Sequence, residues 1–184
     1  HTEKESLGFA YSYSSLNAWF IANISEKEED RKAIAEKATK YSEEAVNISK
    51  QCENPYLTAI SRWASVFSNL YFSDNLEVSL QHSKEMLEQS TLVSDNYLKG
   101  ISYYLQAHVS DWSVPCEANP NKRKQVFEEI LKYSDEGIKN LELVFQDALI
   151  ADTYLFPVQT FSSMASDFAL NLSEKLLYSK RAID

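Results

Sequence analysis

Tyr41-Ser42-Glu43-Glu44-Ala45-Val46 returns three more times along the chain. The other copies are His82-Ser83-Lys84-Glu85-Met86-Leu87, Tyr133-Ser134-Asp135-Glu136-Gly137-Ile138 and Tyr178-Ser179-Lys180-Arg181-Ala182-Ile183. Each copy places Ser after an aromatic residue, then two polar residues, a small or flexible residue and an aliphatic one. A second anchor keeps step with it, because Leu57, Leu98 and Leu149 each lie fifteen residues beyond Ser42, Ser83 and Ser134. Self-similarity at a few tens of residues is the mark of stacked helical units, each too small to bury its own apolar face. The spacing from Leu to the next Ser varies, with 26, 36 and 30 residues separating Leu57 from Ser83, Leu98 from Ser134 and Leu149 from Ser179. A stacked array tolerates insertions in this way, on one rim and away from the stacking contacts.

Helical spacing of apolar residues fills in the units. It predicts helices over 4–23, from the acidic stretch at Ser25–Asp30 to about Gln51, and over 55–72, 75–93, 96–112, 122–145, 148–169 and 172–182. The chain is therefore expected to be all-α, about eight helices in stacked antiparallel hairpins at 4–52, 55–93, 96–145 and 148–184. Ser25-Glu26-Lys27-Glu28 has the capping-box spacing. Pro55 stands at a first-turn position, and Pro157 is expected to kink or split its helix. In each second helix the Ser sits mid-stripe, where a small residue lets a neighbour approach. Ser61, Ser102 and Thr153, four residues past each Leu, do the same on the first helices.

The 184 residues, with 44% hydrophobic and 24% charged, describe one helical-repeat domain of ordinary size. The formal net charge of −9 speaks against nucleic acid. No apolar run approaches the roughly 20 residues a membrane span needs. Cys52 and Cys116 form neither a metal spacing nor a disulfide framework and read as free thiols of a cytoplasmic protein. A start on His1 rather than Met reads as excision from a longer protein. No Gly-rich phosphate loop, His-Glu-x-x-His helix or nucleophile–base cluster is present, so neither catalysis, metal nor cofactor is expected. His82 occupies the aromatic slot of its copy and is read as packing. His108 and Asp111 share a helix face and are read as a surface pair.

The pattern Leu57, Ile60, Ser61, Ala64, repeated as Leu98, Ile101, Ser102, Leu105 and more loosely as Leu149, Asp152, Thr153, Phe156, resembles the tetratricopeptide repeat family or its longer-helix relatives. Ala38, Ser42 and Ala45 match that family's second helix. The resemblance covers nearly the whole chain and implies an interaction module with a peptide-binding groove lined by first helices. Carried over by register, the groove positions are Thr58, Arg62, Ser65, Asn96, Lys99, Tyr103, Gln106 and Tyr154. Arg62 and Lys99 would suit an acidic protein or peptide partner. The apolar first helix, with Phe9, Trp19 and Phe20, is expected to meet further repeats or a second copy of the chain. The alternative is a small-molecule sensor with a pocket between hairpins among Trp63, Tyr103, Tyr104 and Trp112. An enzyme would require His108, Asp111 and another ionisable residue to converge in a cleft.

Overall fold

The computed structural model describes residues 2–167, where every regular element is helical. Seven α-helices lie among the described residues; the expected helix over 172–182 falls outside them. The chain gathers into two compact units, His1–Ser94 and Asp95–Asp184, so the division falls between the second and third expected hairpins.

The first unit contains α1 (Glu3–Ile24), α2 (Glu28–Ser49), α3 (Pro55–Tyr71) and α4 (Leu76–Thr91). The capping box lies at Thr2, where the hydroxyl accepts from the Glu5 amide at 3.2 Å and the Glu5 carboxylate accepts from the Thr2 amide at 2.7 Å. The expected box at Ser25 does not form. Ser25 instead donates its hydroxyl hydrogen to the Ile21 carbonyl at 2.7 Å, and α2 starts after Lys27 without a side-chain cap. Asn54 and Asn75 cap α3 and α4 by accepting from the amides of Leu57 and Val78.

Helix α3 is the axis of this unit. It packs against α1, α2 and α4, and its buried residues go almost all the way round. Small residues make the approach possible. Buried Ser15 of α1 donates to the Ala38 carbonyl of α2 at 2.8 Å, and its oxygen lies 3.3 Å from the Ser68 hydroxyl of α3. Trp19 stacks on Phe67 at 4.3 Å between ring centroids and closes the α1–α3 seam. Phe9 lies 6.0 Å from the ring of Tyr56. Phe9 and Trp19 are thus half-buried against α3, and of the three aromatic residues expected on the outside of α1 only Phe20 is exposed.

The second unit contains α5 (Asn96–Ser113), a 3-10 turn (Val114–Cys116), α6 (Pro120–Glu142) and α7 (Asp147–Asp167). Asp95 and Asn119 cap α5 and α6. Helix α7 packs mainly on α6 and meets α5 sparsely, whereas α3 packs extensively on both α1 and α2. Phe127, Ile130, Ala107, Phe156 and Met164 form the core. Pro157 lacks the N–H that would bond the Thr153 carbonyl, yet one continuous helix runs through it, so of the expected kink or split the split is absent.

The recurring Ser behaves as its repetition implies. Ser42, Ser83 and Ser134 are 1%, 0% and 0% exposed. Each returns its hydroxyl hydrogen to its own helix, at the carbonyls of Thr39, Leu80 and Ile130. A Ser satisfied in this way serves as a slightly larger Ala and needs no partner from its neighbour. Of the three glycines Gly100 has the tightest surroundings: an added Cβ would lie 2.6 Å from Leu141 Cγ and 3.2 Å from the Leu141 amide nitrogen. Helix propensity alone favours Gly100→Ala by about 1 kcal/mol. Overpacking against fully buried Leu141 costs about 1–3 kcal/mol and decides the sign. Gly100→Ala is expected to lower the urea midpoint; an unchanged or raised midpoint would show that α5 and α6 have room to separate.

Candidate functional site

Arg62 lies midway along α3 with its side chain only 5% exposed. Its Nε donates to the Glu85 carboxylate of α4. Its Nη1 donates to the Ser49 hydroxyl of α2 at 3.2 Å and the Ser61 hydroxyl at 3.4 Å. Gln81 donates to the other Glu85 oxygen at 2.8 Å. Burial alone would raise the Glu85 pKa. The hydrogen bonds from Arg62 and Gln81, with the Arg62 charge, outweigh that and hold it below the usual carboxylate range.

Ser65, one turn further along α3, lies 2.8 Å from His82 Nδ1, and Asn69 donates to the Ser65 oxygen at 3.0 Å. The tautomer of the imidazole sets which of Ser65 and Nδ1 donates. Burial first, and then the charges of Arg62 and Lys50 against the pull of Glu85, push the His82 pKa down to about 4. His82 is therefore neutral at neutral pH. A cleft of about 360 Å³ opens beside it, lined by Glu43, Val46, Asn47, Ser65, Asn69, Val78 and His82. The Ser–His pair has nucleophile–base spacing, but a base of pKa about 4 is poorly matched to general-base catalysis near neutral pH.

The second unit carries a different cleft. On α5, Tyr104, His108 and Asp111 share a helical stripe, as do Asp152, Leu155, Phe156 and Gln159 on α7. The two stripes line one cleft of about 250 Å³. The Tyr104 and His108 rings run parallel at 5.8 Å, and each lies 5.7 Å from Phe156. Trp112 sets its ring 6.3 Å from His108. Burial pushes the His108 pKa down to about 4 against the charge of Asp152, and burial raises that of Asp111. The expected surface pair is in fact part of a recess, where a third ionisable residue, Asp152, joins it, so the convergence that an enzyme would require is present in position, although an imidazole of pKa about 4 is poorly matched to general-base catalysis near neutral pH. No group of three or more His, Cys, Asp or Glu among the described residues is placed to hold a metal ion.

The expected groove positions are distributed differently from their register. Arg62 and Ser65 are buried, 4% and 3% exposed, and are engaged with α2 and α4. They offer no open cation or hydroxyl to a peptide. Gln106 is 1% exposed, so it lines no surface. Thr58, Lys99 and Tyr103 are half-buried; Thr58 donates to the Asn54 carbonyl and Tyr103 faces the Tyr133 ring at 6.4 Å. Asn96 and Tyr154 are exposed, Tyr154 off the α7 stripe that faces the cleft. Of the residues expected to surround a small-molecule pocket, Tyr104 lines this cleft and Trp112 borders His108. Asp152, Phe156 and Gln159 were missed as site residues. The signal for Asp152 was its departure from the repeat, which has Ile60 and Ile101 at that place.

Cys52 is half-buried and Cys116 exposed, both as free thiols. No helix among the described residues is long and apolar enough to cross a membrane. Comparison with family models, curated proteins and solved structures returns no match to this chain, so the likeness to tetratricopeptide repeats rests on its residue pattern alone.

Proposed function

We propose that the chain is a protein–protein interaction module of the tetratricopeptide-like kind. In this reading it is a cytoplasmic scaffolding or regulatory domain that holds another protein and catalyses no reaction. The observation that carries this reading is the outer face of α1. Leu7, Tyr13, Phe20, Ile21 and Ile24 are 48%, 46%, 65%, 49% and 74% exposed. No charged residue occurs from Ser6 to Ser25, in a chain of net charge −9. An uncharged face that exposes five large apolar residues among Ser6, Ser14 and Asn17, on an acidic protein, fits an interaction surface. Aromatic and aliphatic anchors of this kind supply most of the binding energy in protein interfaces. The neighbouring α3 illustrates the geometry of such a contact, since helices cover it on several sides. Arg62 is occupied internally, so the partner surface moves from α3 to α1 and the case for an acidic partner weakens.

The test is capture of a native partner by the parent chain and by a Phe20→Asp/Ile24→Asp variant with unchanged helical circular dichroism. At 65% and 74% exposure both positions accept Asp without loss of the fold. Affinity is expected to fall at least about tenfold. It should depend little on salt, because the face carries no charge. A partner that binds the variant as tightly as the parent overturns the assignment to α1. Sedimentation of the parent alone tells whether the partner is a second copy of the chain.

A further inference from the structure

The α5–α7 seam breaks the rule that the α1–α3 seam follows. Ile60 and Phe67, three and ten residues past Leu57, are 3% and 8% exposed, and Trp19 stacks over Phe67. Three and ten residues past Leu149 the chain has Asp152 and Gln159, and both line the 250 Å³ cleft. The α5 copy keeps Ile101 at the first of these places but has His108 at the second, and Asp152 and Gln159 are both exposed, so the polar residues of α5 and α7 meet along the cleft rather than in the core. Departures from a locally consistent pattern concentrate where a protein binds or reacts.

Among the described residues the cleft also holds no counter-charge. Among the described residues its lining holds no Lys or Arg, and neither the Asp111 nor the Asp152 carboxylate has a hydrogen bond or ion pair. The neutral His108 imidazole adds no positive charge at neutral pH. The other walls are Tyr104, Phe156 and Leu155. Aromatic faces attract cations through the ring quadrupole, and partial desolvation strengthens that attraction. A volume near 250 Å³ lies just below the usual range for small-molecule sites and suits a compact ligand.

We propose that the α5–α7 cleft binds a small organic cation, an ammonium or amidinium group on a flat apolar body. Asp111 and Asp152 take the charge, Tyr104 and Phe156 take the body, and Gln159 supplies a hydrogen-bonding amide. The site is independent of the α1 face, and the Phe20→Asp/Ile24→Asp variant keeps it.

The experiment titrates the full chain with benzamidine, following thermal stability and the His108 imidazole resonances by NMR. Neutral benzamide is the isosteric control, and Asp111→Asn/Asp152→Asn is the variant. A short peptide with one Arg separates a free ligand from a side chain of another protein. Benzamidine is expected to raise the melting temperature and shift the His108 resonances saturably. Benzamide and the double variant are each expected to lose at least about tenfold in affinity, or about 1.4 kcal/mol. An Arg peptide that binds more tightly than benzamidine supports the same chemistry and assigns the cation to a protein side chain. Equal responses to benzamidine and benzamide, undiminished binding by a folded double variant, or no saturation up to about 10 mM overturns the proposal.

Discussion

Glu85→Ala should lower the stability of the chain by about 3 kcal/mol, the low end of the cost of orphaning a buried charge. Arg62 is the reason. Its guanidinium is almost wholly enclosed by α2, α3 and α4, and Glu85 is its one carboxylate partner among the described residues. Without Glu85 the cation keeps only the hydroxyls of Ser49 and Ser61. Glu85 itself is 32% exposed, so water can enter the vacated space and hold the cost to the low end. Replacing both partners by apolar residues of similar size, Arg62→Met with Glu85→Leu, should recover most of the loss, because no unpaired charge then remains. Urea unfolding of the three proteins checks this. A Glu85→Ala protein within about 0.5 kcal/mol of the parent would mean that Arg62 finds water or another acceptor.

The same pair shows where sequence reasoning stops. The periodic Ser and Leu placed the helices and their buried stripes because helix packing is periodic and each hairpin repeats the same contact. Ser42, Ser83 and Ser134 are buried, as are Leu57 and Leu98. Pro55 in the first turn of α3 was legible for the same local reason, whereas the caps at Asn54 and Asp95 were not read. Register assigns a face to a residue but not the rotamer of a long side chain. Arg62 turns inward because Glu85, twenty-three residues later on another helix, receives it. Trp19 was misplaced similarly, since only the fold brings Phe67 beneath it. The cleft of the second unit was half legible. His108 and Asp111 share a stripe within one helix, whereas Asp152 joins them from a helix whose repeat pattern has loosened. That loosening was itself the visible trace of the site. The Ser25 box failed for a different reason, because its hydroxyl found the Ile21 carbonyl of the preceding helix first.

Acidification should destabilise the chain well before its carboxylates protonate. His82 and His108 both have folded-state pKa values of about 4, against 6.5 for an unperturbed imidazole. Between those values the unfolded chain takes up protons that the folded chain refuses. The stability the two histidines contribute is therefore fully present above about pH 6.5 and is lost as pH falls toward 4. Each tenfold change in proton affinity corresponds to about 1.4 kcal/mol, so His108, the more deeply buried, accounts for on the order of 2–3 kcal/mol. His82 is more exposed, and solvent screening reduces its share. Two carboxyls modify the lower end of the window. Asp111, raised by burial, protonates earlier in the folded chain than in the unfolded one and so offsets part of the loss. Glu85, lowered by Arg62 and Gln81, adds to the loss once pH falls through the ordinary carboxylate range, where the unfolded chain takes up the proton that the folded chain refuses. Urea unfolding of the parent between about pH 7.5 and 4.5 should show stability falling steadily. His108→Gln, which removes the proton acceptor and keeps a polar group, should flatten much of the slope. A parent whose stability is constant across that range, or a variant with the parent's slope, would mean that His108 takes up its proton without leaving its place against Tyr104 and Phe156. A bound cation should sharpen the contrast, because a positive charge in the cleft beside His108 further opposes its protonation.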